Sequence, residues 1–320
     1  MSHPVEVDGL RRTFGARVAL DDVTFAVREG DIFGLLGPNG GGKTTLFRVL
    51  CTLLPPSSGS ARVCGHDVLA EAASVRQCLG VVFQSPSLDP QLTVAENLRY
   101  GGNLYGLRGA RLEERLREMA AALRVADRLD DRVKSLSGGL QRRVEIAKSL
   151  LPRPRVLLLD EPSTGLDPVA RVELWAILEQ LRAKFGMTVV LTTHLMDEAE
   201  RCDRVAILHH GKLLACDTSE ALRATVGADV LTLAAREPDA LARHLQEEFG
   251  MAAAVRDGLV RVETPRAHEQ VARIVEAFPD EVLSVTAGHP TLEDVFVRMT
   301  GERLDGPFFA GHGNRGEKRA

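Results

Sequence analysis

The chain has 320 residues, of which 44% are hydrophobic and 26% are charged, and its formal net charge is −4. This composition is ordinary for a folded protein of about two domains, and it gives no overall basic field that would indicate a nucleic-acid partner. No apolar run approaches the ~18–20 residues that a membrane-spanning helix needs, so we expect no segment to cross a bilayer.

A glycine-rich stretch lies between a predicted strand (residues 31–37) and a run with helical spacing (residues 43–54). This stretch, GPNGGGKTT, matches the P-loop pattern G-x-x-x-x-G-K-[ST], whose backbone N–H groups surround phosphate oxygens. In such a loop Lys43 can reach the β- and γ-phosphates, and the Thr44 hydroxyl can ligate Mg²⁺. An isolated glycine-rich turn can be accidental, but the strand–loop–helix setting favours a phosphate site. The residues predicted to bind phosphate are Gly37, Pro38, Asn39, Gly40, Gly41, Gly42, Lys43, Thr44 and Thr45.

A charged, helix-forming stretch at residues 94–132 contains no strand candidate and predicts a helical insertion over about residues 90–150. Near its end, LSGGLQRR places Ser137, Gly138 and Gly139 immediately before another helical run. A serine at this position can be a simple N-cap. A Ser-Gly-Gly at a helix N-terminus also offers unobstructed backbone donors and a favourable dipole for an anion, so both interpretations stay open.

Two further apolar runs, RVLLLD and MTVVLTTH, read as parallel strands that are buried on both faces and end in polar residues. Asp160 ends the first run and suits a Mg²⁺ ligand, and the adjacent Glu161 can accept a proton from an attacking water. Acids at a strand end can instead only cap the following loop. His194 ends the second run and can contact a γ-phosphate, although a lone histidine is more often structural.

After residue 217 the pattern changes to β-α-β-β-α-β, which predicts a small ferredoxin-like domain over residues 228–300. A last helix follows, with Thr291 as its N-cap and apolar residues along one face. We expect this domain to regulate or brace a dimer, with a small-molecule sensor as the alternative. Residues 301–320 are polar and glycine-rich, and we expect them to be disordered. The apolar face, which we interpret as a docking stripe, consists of Leu292, Val295, Phe296 and Met299.

The P-loop, Gln84 in VVFQSP, LSGGL, LLLDE, GLD and His194 follow one another in an order that resembles the ATP-binding cassette (ABC) ATPases. The resemblance covers about two-thirds of the chain and implies an α/β P-loop NTPase domain over residues 1–220, with ATP and Mg²⁺ as cofactors. It also implies that Phe14 stacks on adenine and that Asp167 bridges subunits. By the same resemblance the catalytic residues are Glu161, His194 and Gln84, the residues at Mg²⁺ are Thr44, Gln84 and Asp160, and Ser137, Gly138 and Gly139 bind nucleotide.

In that family the P-loop of one subunit and the LSGG of another enclose ATP, so one copy of each implies a homodimer with two composite sites. The tail, which contains TLEDVFVRMTG, is similar to that of daunorubicin-resistance-type ABC-2 exporter ATPases. This resemblance implies a separate ABC-2-type membrane permease and a peripheral location on the cytoplasmic face of the bacterial inner membrane, with no nucleic-acid partner. The alternative is a soluble ABC ATPase that acts on ribosomes or DNA. These residues do not specify the cargo.

Overall fold

A computed structural model of the protein describes residues 3–226, 229–256 and 258–302. The chain divides into two compact units, residues 1–219 and residues 220–320, which we call the first and second units. Most of the predicted disordered tail, residues 303–320, lies outside the described residues. In the part of the chain that the structure describes, no helix is both long enough and apolar enough to span a membrane.

The first unit combines strands and helices in an α/β order, as the sequence predicts. Its strands are β1 (Val5–Phe14), β2 (Arg17–Val27), β3 (Ile32–Leu36), β4 (Ser58–Val63), β5 (His66–Asp67), β6 (Leu79–Val82), β7 (Val156–Asp160), β8 (Thr188–Thr193), β9 (Arg204–His209) and β10 (Lys212–Asp217). Its helices are α1 (Lys43–Leu50), α2 (Ala72–Cys78), α3 (Val94–Leu104), α4 (Gly109–Ala122), α5 (Gly138–Leu150), α6 (Pro168–Phe185) and α7 (Met196–Ala199). Two short 3₁₀ turns, Ala126–Arg128 and Val133–Ser135, precede α5, and α8 (Ser219–Ala224) begins at the division between the units.

A six-stranded sheet with the order β10-β9-β3-β8-β7-β6 forms the centre of the first unit. Strands β9, β3, β8, β7 and β6 run parallel, and β10 is antiparallel at one edge. Every residue of β7 and β8 is buried, which confirms the prediction that these apolar runs are covered on both faces. Because the strands are parallel, their carboxyl ends lie along one edge of the sheet.

The first unit also has a second, antiparallel sheet, with the order β2-β1-β4-β5. The α/β domain predicted from the sequence did not distinguish it from the central sheet. In β1 and β2 buried residues alternate with more exposed ones, the pattern of strands that cover a core with one face only. Their buried side chains share one hydrophobic core with Phe47 of α1 and Phe33 of β3. The P-loop helix is thereby packed against both sheets.

The predicted helical insertion consists of α3, α4 and α5, and residues 94–132 contain no strand. Helix α3 begins with a capping box: the Thr93 hydroxyl accepts a hydrogen bond from Glu96 N, and the Glu96 carboxylate accepts one from Thr93 N. The insertion returns to the central sheet through α5, whose carboxyl end leads into β7.

The second unit has the predicted β-α-β-β-α-β order and then one more helix. Its elements are β11 (Asp229–Ala235), α9 (Pro238–Phe249), β12 (Ala253–Arg256), β13 (Leu259–Thr264), α10 (Ala267–Ala277), β14 (Val282–Gly288) and α11 (Leu292–Thr300). All strand pairs are antiparallel, in the order β12-β13-β11-β14. The sheet and its two helices enclose a hydrophobic core of their own.

The apolar face of α11 is already covered within the chain. Thr291 caps this helix through a capping box with Asp294, as predicted. Leu292, Val295 and Phe296 are buried, and only Met299 is substantially exposed, at 39%. The stripe is therefore not a free surface, and it gives no support to the expected contact with a second subunit.

Candidate active site

Four neighbouring strands deliver the predicted functional residues to one edge of the central sheet. Strand β3 runs into the P-loop, β7 ends at Asp160 and Glu161, and β8 is followed by His194. Gln84 lies two residues beyond β6. Because β3, β8, β7 and β6 are adjacent and parallel, these residues meet at the carboxyl edge, where open α/β sheets bind ligands.

The backbone of the P-loop requires glycine at particular positions. A Cβ atom at Gly37 would overlap the carbonyl oxygen of Leu208, so no side chain fits there. Gly42 has a φ of 109° and would place a Cβ 2.9 Å from Ala19 O. Such positive φ values are readily adopted only by glycine. Glycine therefore allows the loop to follow its tight path into the start of α1.

Lys43 is a buried lysine, 3% exposed, at the first position of α1. Its ammonium donates hydrogen bonds to Gly37 O at 2.6 Å and Pro38 O at 3.1 Å, and it lies 3.6 Å from Glu161 Oε1. Burial lowers the pKa of Lys43, while the nearby Glu161 carboxylate acts in the opposite direction. The loop carbonyls thus aim the ammonium group along the inside of the loop.

A pocket of about 140 Å³ lies over the P-loop. The loop contributes seven of its nine predicted phosphate-binding residues to the lining, all except Gly37 and Gly41. Arg17 and Ala19 of β2 also line the pocket, and no motif in the sequence predicted either of them. The lining consists of Arg17, Ala19, Pro38, Asn39, Gly40, Gly42, Lys43, Thr44, Thr45, Gln84 and Glu161.

The Glu161 carboxylate is the centre of the polar contacts in this pocket. Its Oε2 accepts hydrogen bonds from Gln84 Nε2 at 3.2 Å and from Thr164 Oγ1 at 3.1 Å. Its Oε1 lies 3.4 Å from His194 Nδ1 and 3.6 Å from Lys43 Nζ. The polar contact with His194, and then the charge of Lys43, lower the pKa of Glu161 although burial opposes them. The carboxylate is therefore held in its ionised, proton-accepting form.

The backbone of Glu161 is strained, with a φ of 46° in the left-handed region. Non-glycine residues in that region cost about 1–3 kcal/mol and persist where neighbouring contacts fix them. Here Thr192 supplies such a contact, because its Oγ1 accepts a hydrogen bond from Glu161 N at 2.9 Å. The same hydroxyl donates to Asp160 Oδ1 at 2.7 Å. One buried threonine of β8 thus orients both acids.

Asp160 is buried, and this burial raises its pKa, although the hydrogen bond from Thr192 partly offsets the effect. A buried carboxylate is costly unless a cation or hydrogen-bond donors compensate it. Thr44, Gln84 and Asp160 all offer oxygen atoms at this edge of the sheet, and Mg²⁺ prefers oxygen ligands. The residues predicted to hold Mg²⁺ therefore fit that ion chemically.

Comparison with known proteins identifies the family. Residues 20–164 match the family model described as ABC transporter. The chain is 38% identical to a daunorubicin/doxorubicin resistance ATP-binding protein of Streptomyces peucetius, with 94% of this chain and 93% of that protein covered. It is 37% identical to the Nod factor export ATP-binding protein I of Ralstonia nicotianae, with 94% of each covered.

The chain belongs to the ATP-binding proteins of ABC transporters. Among solved structures, cbiO1 of Clostridium perfringens, part of the ABC transporter complex cbiONQ, resembles it with a TM-score of 0.66 and 25% identity. That alignment covers 78% of this chain and 97% of cbiO1. The predicted P-loop NTPase fold and the assignment as an ABC-type ATPase, an enzyme that hydrolyses ATP, are thereby confirmed.

The LSGG segment of this ABC ATPase does not line the pocket formed by its own P-loop. Ser137 is the N-cap of α5, where its Oγ accepts a hydrogen bond from Leu140 N, and Gly138 is exposed beside it. Asp167 is likewise an exposed N-cap, of α6, and accepts a hydrogen bond from Ala170 N at 2.9 Å. Among the described residues that line the 140 Å³ pocket, none belongs to either segment.

Phe14, the predicted adenine-stacking residue, ends β1 with 45% of its surface exposed. It is paired in the antiparallel sheet with Arg17, which lines the pocket of the ABC ATPase. The Arg12 guanidinium lies 4.6 Å from the centre of the Phe14 ring. The ring is thus placed next to the pocket rather than among its lining residues, with a cation over it.

Proposed function

We propose that this ABC ATPase is the motor subunit of an ABC-2-type exporter. In this proposal two identical chains and a separate membrane permease work together at the cytoplasmic face of the bacterial inner membrane. The observation that carries the proposal is the convergence of five residues at one sheet edge: Lys43, Asp160, Glu161, His194 and Gln84. Relatives named for daunorubicin/doxorubicin resistance and for Nod factor export match the chain over nearly its whole length.

In the proposed mechanism the P-loop holds ATP by its β- and γ-phosphates. The glycine backbone offers N–H donors, the α1 N-terminus adds a favourable dipole, and Lys43 supplies a buried positive charge. Thr44, Gln84 and Asp160 would hold Mg²⁺, which neutralises developing charge on the phosphates when it is bound. His194 would contact the γ-phosphate from the end of the adjacent strand. Positioning and charge stabilisation then account for most of the catalysis.

Glu161 is proposed as the general base that accepts a proton from the attacking water. Its carboxylate is ionised at neutral pH, and its hydrogen bonds from Gln84 and Thr164 orient one carboxylate oxygen. The contact of Glu161 Oε1 with His194 links the base to the residue expected at the γ-phosphate. The geometry therefore suits abstraction of a proton beside the terminal phosphate.

The proposal that two chains form the active unit rests on the LSGG segment. Its exposed glycine and the N-terminus of α5 offer anion-binding donors, yet they do not line the pocket of their own chain. A second copy, placed head to tail, would bring these donors to the γ-phosphate and complete the site. Hydrolysis then removes the γ-phosphate, which both chains contact, and the dimer opens. For the second unit we propose a role in regulating or bracing this association.

The proposal that the motor drives export rests on the full-length relatives, whose names describe daunorubicin/doxorubicin resistance and Nod factor export. Those names describe different cargoes, so we propose none for this chain. The alternative of a ribosome- or DNA-acting ATPase gains no support from these relatives.

A trapped complex tests the proposal. In its host, a tagged Glu161→Gln variant is extracted from membranes with ATP and Mg²⁺, and the co-purifying proteins are identified. We expect a polytopic membrane protein in stoichiometric amount, because a dimer that cannot hydrolyse ATP stays closed on its permease. The double variant Lys43→Ala/Glu161→Gln is the control, since it should not hold the nucleotide that closes the dimer. Recovery of ribosomal or DNA-bound partners, or of no partner, would refute the exporter assignment.

A further inference from the structure

The segment that carries Gln84 is fastened to α5 through its backbone. Arg142, which lies one turn into α5, donates a hydrogen bond from Nη1 to Phe83 O at 2.7 Å. Its Nη2 donates a second hydrogen bond to Gln84 O at 3.3 Å. These residues follow the last residue of β6 and lie outside the strand ladder, so the sheet does not satisfy their carbonyl groups. A side chain of the LSGG helix does so instead.

A second residue of α5 holds the far end of the same segment. Glu145 Oε1 accepts a hydrogen bond from Ser87 N at 2.6 Å, and its Oε2 accepts one from Arg142 Nη1 at 2.8 Å. Lys148, another three residues along the helix, donates to Ser87 O at 2.8 Å. Positions three residues apart lie on the same face of a helix, so all three side chains of α5 reach the segment together.

The burial of this network makes its geometry rigid. Arg142 and Glu145 are 7% and 5% exposed, and each charge is compensated by the other and by backbone groups. Removing one partner of a buried ion pair leaves an uncompensated charge and unsatisfied carbonyl groups. The loss of any one group therefore strongly destabilises the whole network. Displacing the Gln84 segment without α5 would break several buried hydrogen bonds at once.

We propose that Arg142 and Glu145 are positioning residues for ATP hydrolysis, which fix Gln84 against Glu161 and tie that position to the helix that begins with the LSGG glycines. The contact that they set is the 3.2 Å hydrogen bond from Gln84 Nε2 to Glu161 Oε2. A shift of α5 is then passed to the proposed base through the segment of residues 83–87. This inference rests on the proposed catalytic role of Gln84.

Kinetics of the full-length chain test the inference. Arg142→Met removes both donors to the segment, and we expect kcat for ATP hydrolysis to fall about 10-fold while the KM for ATP stays within about 2-fold. Glu145→Ala should behave in the same way. Glu145→Gln keeps an acceptor for Ser87 N but loses the charge that compensates Arg142, so its loss of kcat should be smaller than that of Glu145→Ala. Arg99→Met is the matched control, because the Arg99 guanidinium pairs with Glu113, between α3 and α4.

A double-mutant cycle separates positioning from general damage. In a Gln84→Ala background, Arg142→Met should lower kcat by less than 2-fold, because the group that it positions is gone. An equal fold-loss in both backgrounds would overturn the inference and leave the role of Gln84 intact. Full activity of Gln84→Ala alone would overturn the proposed role of Gln84 and the inference with it.

A milder variant covers the case in which Arg142→Met fails to fold. Lys148→Met removes the hydrogen bond to Ser87 O from a half-buried side chain and leaves Arg142 and Glu145 in place. We expect a loss of about 2- to 5-fold in kcat, which should again disappear in the Gln84→Ala background. A Lys148→Met loss that persists in that background would also overturn the inference.

Discussion

The Lys43 ammonium group lies 3.6 Å from Glu161 Oε1, so the residue proposed to hold the phosphates and the proposed base are ion-paired in one pocket. The two side chains have opposite charges and different proposed tasks. Removing the charge of each should therefore damage different steps of the reaction, and this separation can be measured.

Replacing Glu161 with glutamine should abolish turnover but not ATP binding. A glutamine keeps the size of the side chain and an oxygen that can accept a hydrogen bond, but it cannot take a proton from water. We expect single-turnover hydrolysis to fall by on the order of 10²–10⁴-fold, the usual contribution of a positioned base, with ATP affinity nearly unchanged. Glu118→Gln, in an ion pair of α4 with Arg115, serves as the control. Near-normal hydrolysis by Glu161→Gln would contradict the assignment of the base.

Replacing Lys43 with alanine should weaken nucleotide binding itself. The buried ammonium group donates hydrogen bonds to two carbonyl groups of the loop. Its loss removes the positive charge that faces the phosphates. We expect the Kd for ATP, measured by equilibrium binding, to rise by about 10-fold or more. Lys212→Ala is a suitable control, because the Lys212 side chain is 64% exposed. Its Nζ makes a long ion pair, 3.8 Å from Asp21 Oδ2. An unchanged Kd would count against the P-loop assignment.

The sequence predicted the site best where a motif coincides with the end of an apolar strand. Asp160, Glu161 and His194 each follow such a run, and parallel pairing alone brings their strands to one edge. Thr192 was missed because a threonine within an apolar strand is explained by β-propensity alone. Arg142 was missed because a charged residue in a helix is usually solvated. Their importance depends on long-range contacts that have no local signature.

Thr192→Val tests the hydroxyl that orients both acids. The substitution keeps the shape of the side chain but leaves Asp160 and Glu161 N without their hydrogen-bond partner. We expect the free energy of unfolding to fall by about 1–3 kcal/mol, and hydrolysis to fall more than ATP binding.

Thr188→Val provides the comparison within the same strand. Thr188 accepts a hydrogen bond from Gly30 N at the opposite end of β8. This variant should lose stability to a similar extent while its hydrolysis remains normal. Equal effects of the two variants on hydrolysis would show that the Thr192 hydroxyl serves stability only.

Cys78 should be the most reactive thiol at neutral pH. A hydrogen bond with Cys64 lowers the pKa of Cys78 to about 7, with a smaller contribution from Arg155, while burial opposes both. The thiolate is the reactive form, so its alkylation rate should rise with pH and reach half of its maximum near pH 7. Burial raises the pKa of Cys51 and Cys202, and these thiols should react slowly.

Mass spectrometry after brief treatment with iodoacetamide measures this order of reaction. Cys64→Ala should slow the alkylation of Cys78 at neutral pH, because it removes the hydrogen-bond donor, whereas Cys64→Ser keeps a donor and should slow it less. If Cys78 instead reacts with the pH dependence of an ordinary thiol, the thiol–thiol contact does not control its reactivity.

Gly138→Ala tests whether Gly138 acts at the contact with a second chain or in the fold of its own chain. A Cβ at residue 138 would meet only Leu166 Cδ2, at 3.9 Å, which is ordinary contact. Alanine is also the better helix former at this first residue of α5, so the melting temperature should stay the same or rise. In the proposed dimer, however, the added methyl group points into the backbone donors that face the partner's ATP. We therefore expect hydrolysis to fall by about 10-fold or more at saturating ATP.

Gly139→Ala is the contrasting variant, because its Cβ would lie 2.9 Å from Ala170 Cβ and disturb the chain itself. It should lower both the melting temperature and hydrolysis. The informative result is a loss of hydrolysis in Gly138→Ala without a loss of stability, since no contact within the chain explains it. If Gly138→Ala hydrolyses ATP normally as a stable protein, the LSGG segment does not complete the site of a second chain.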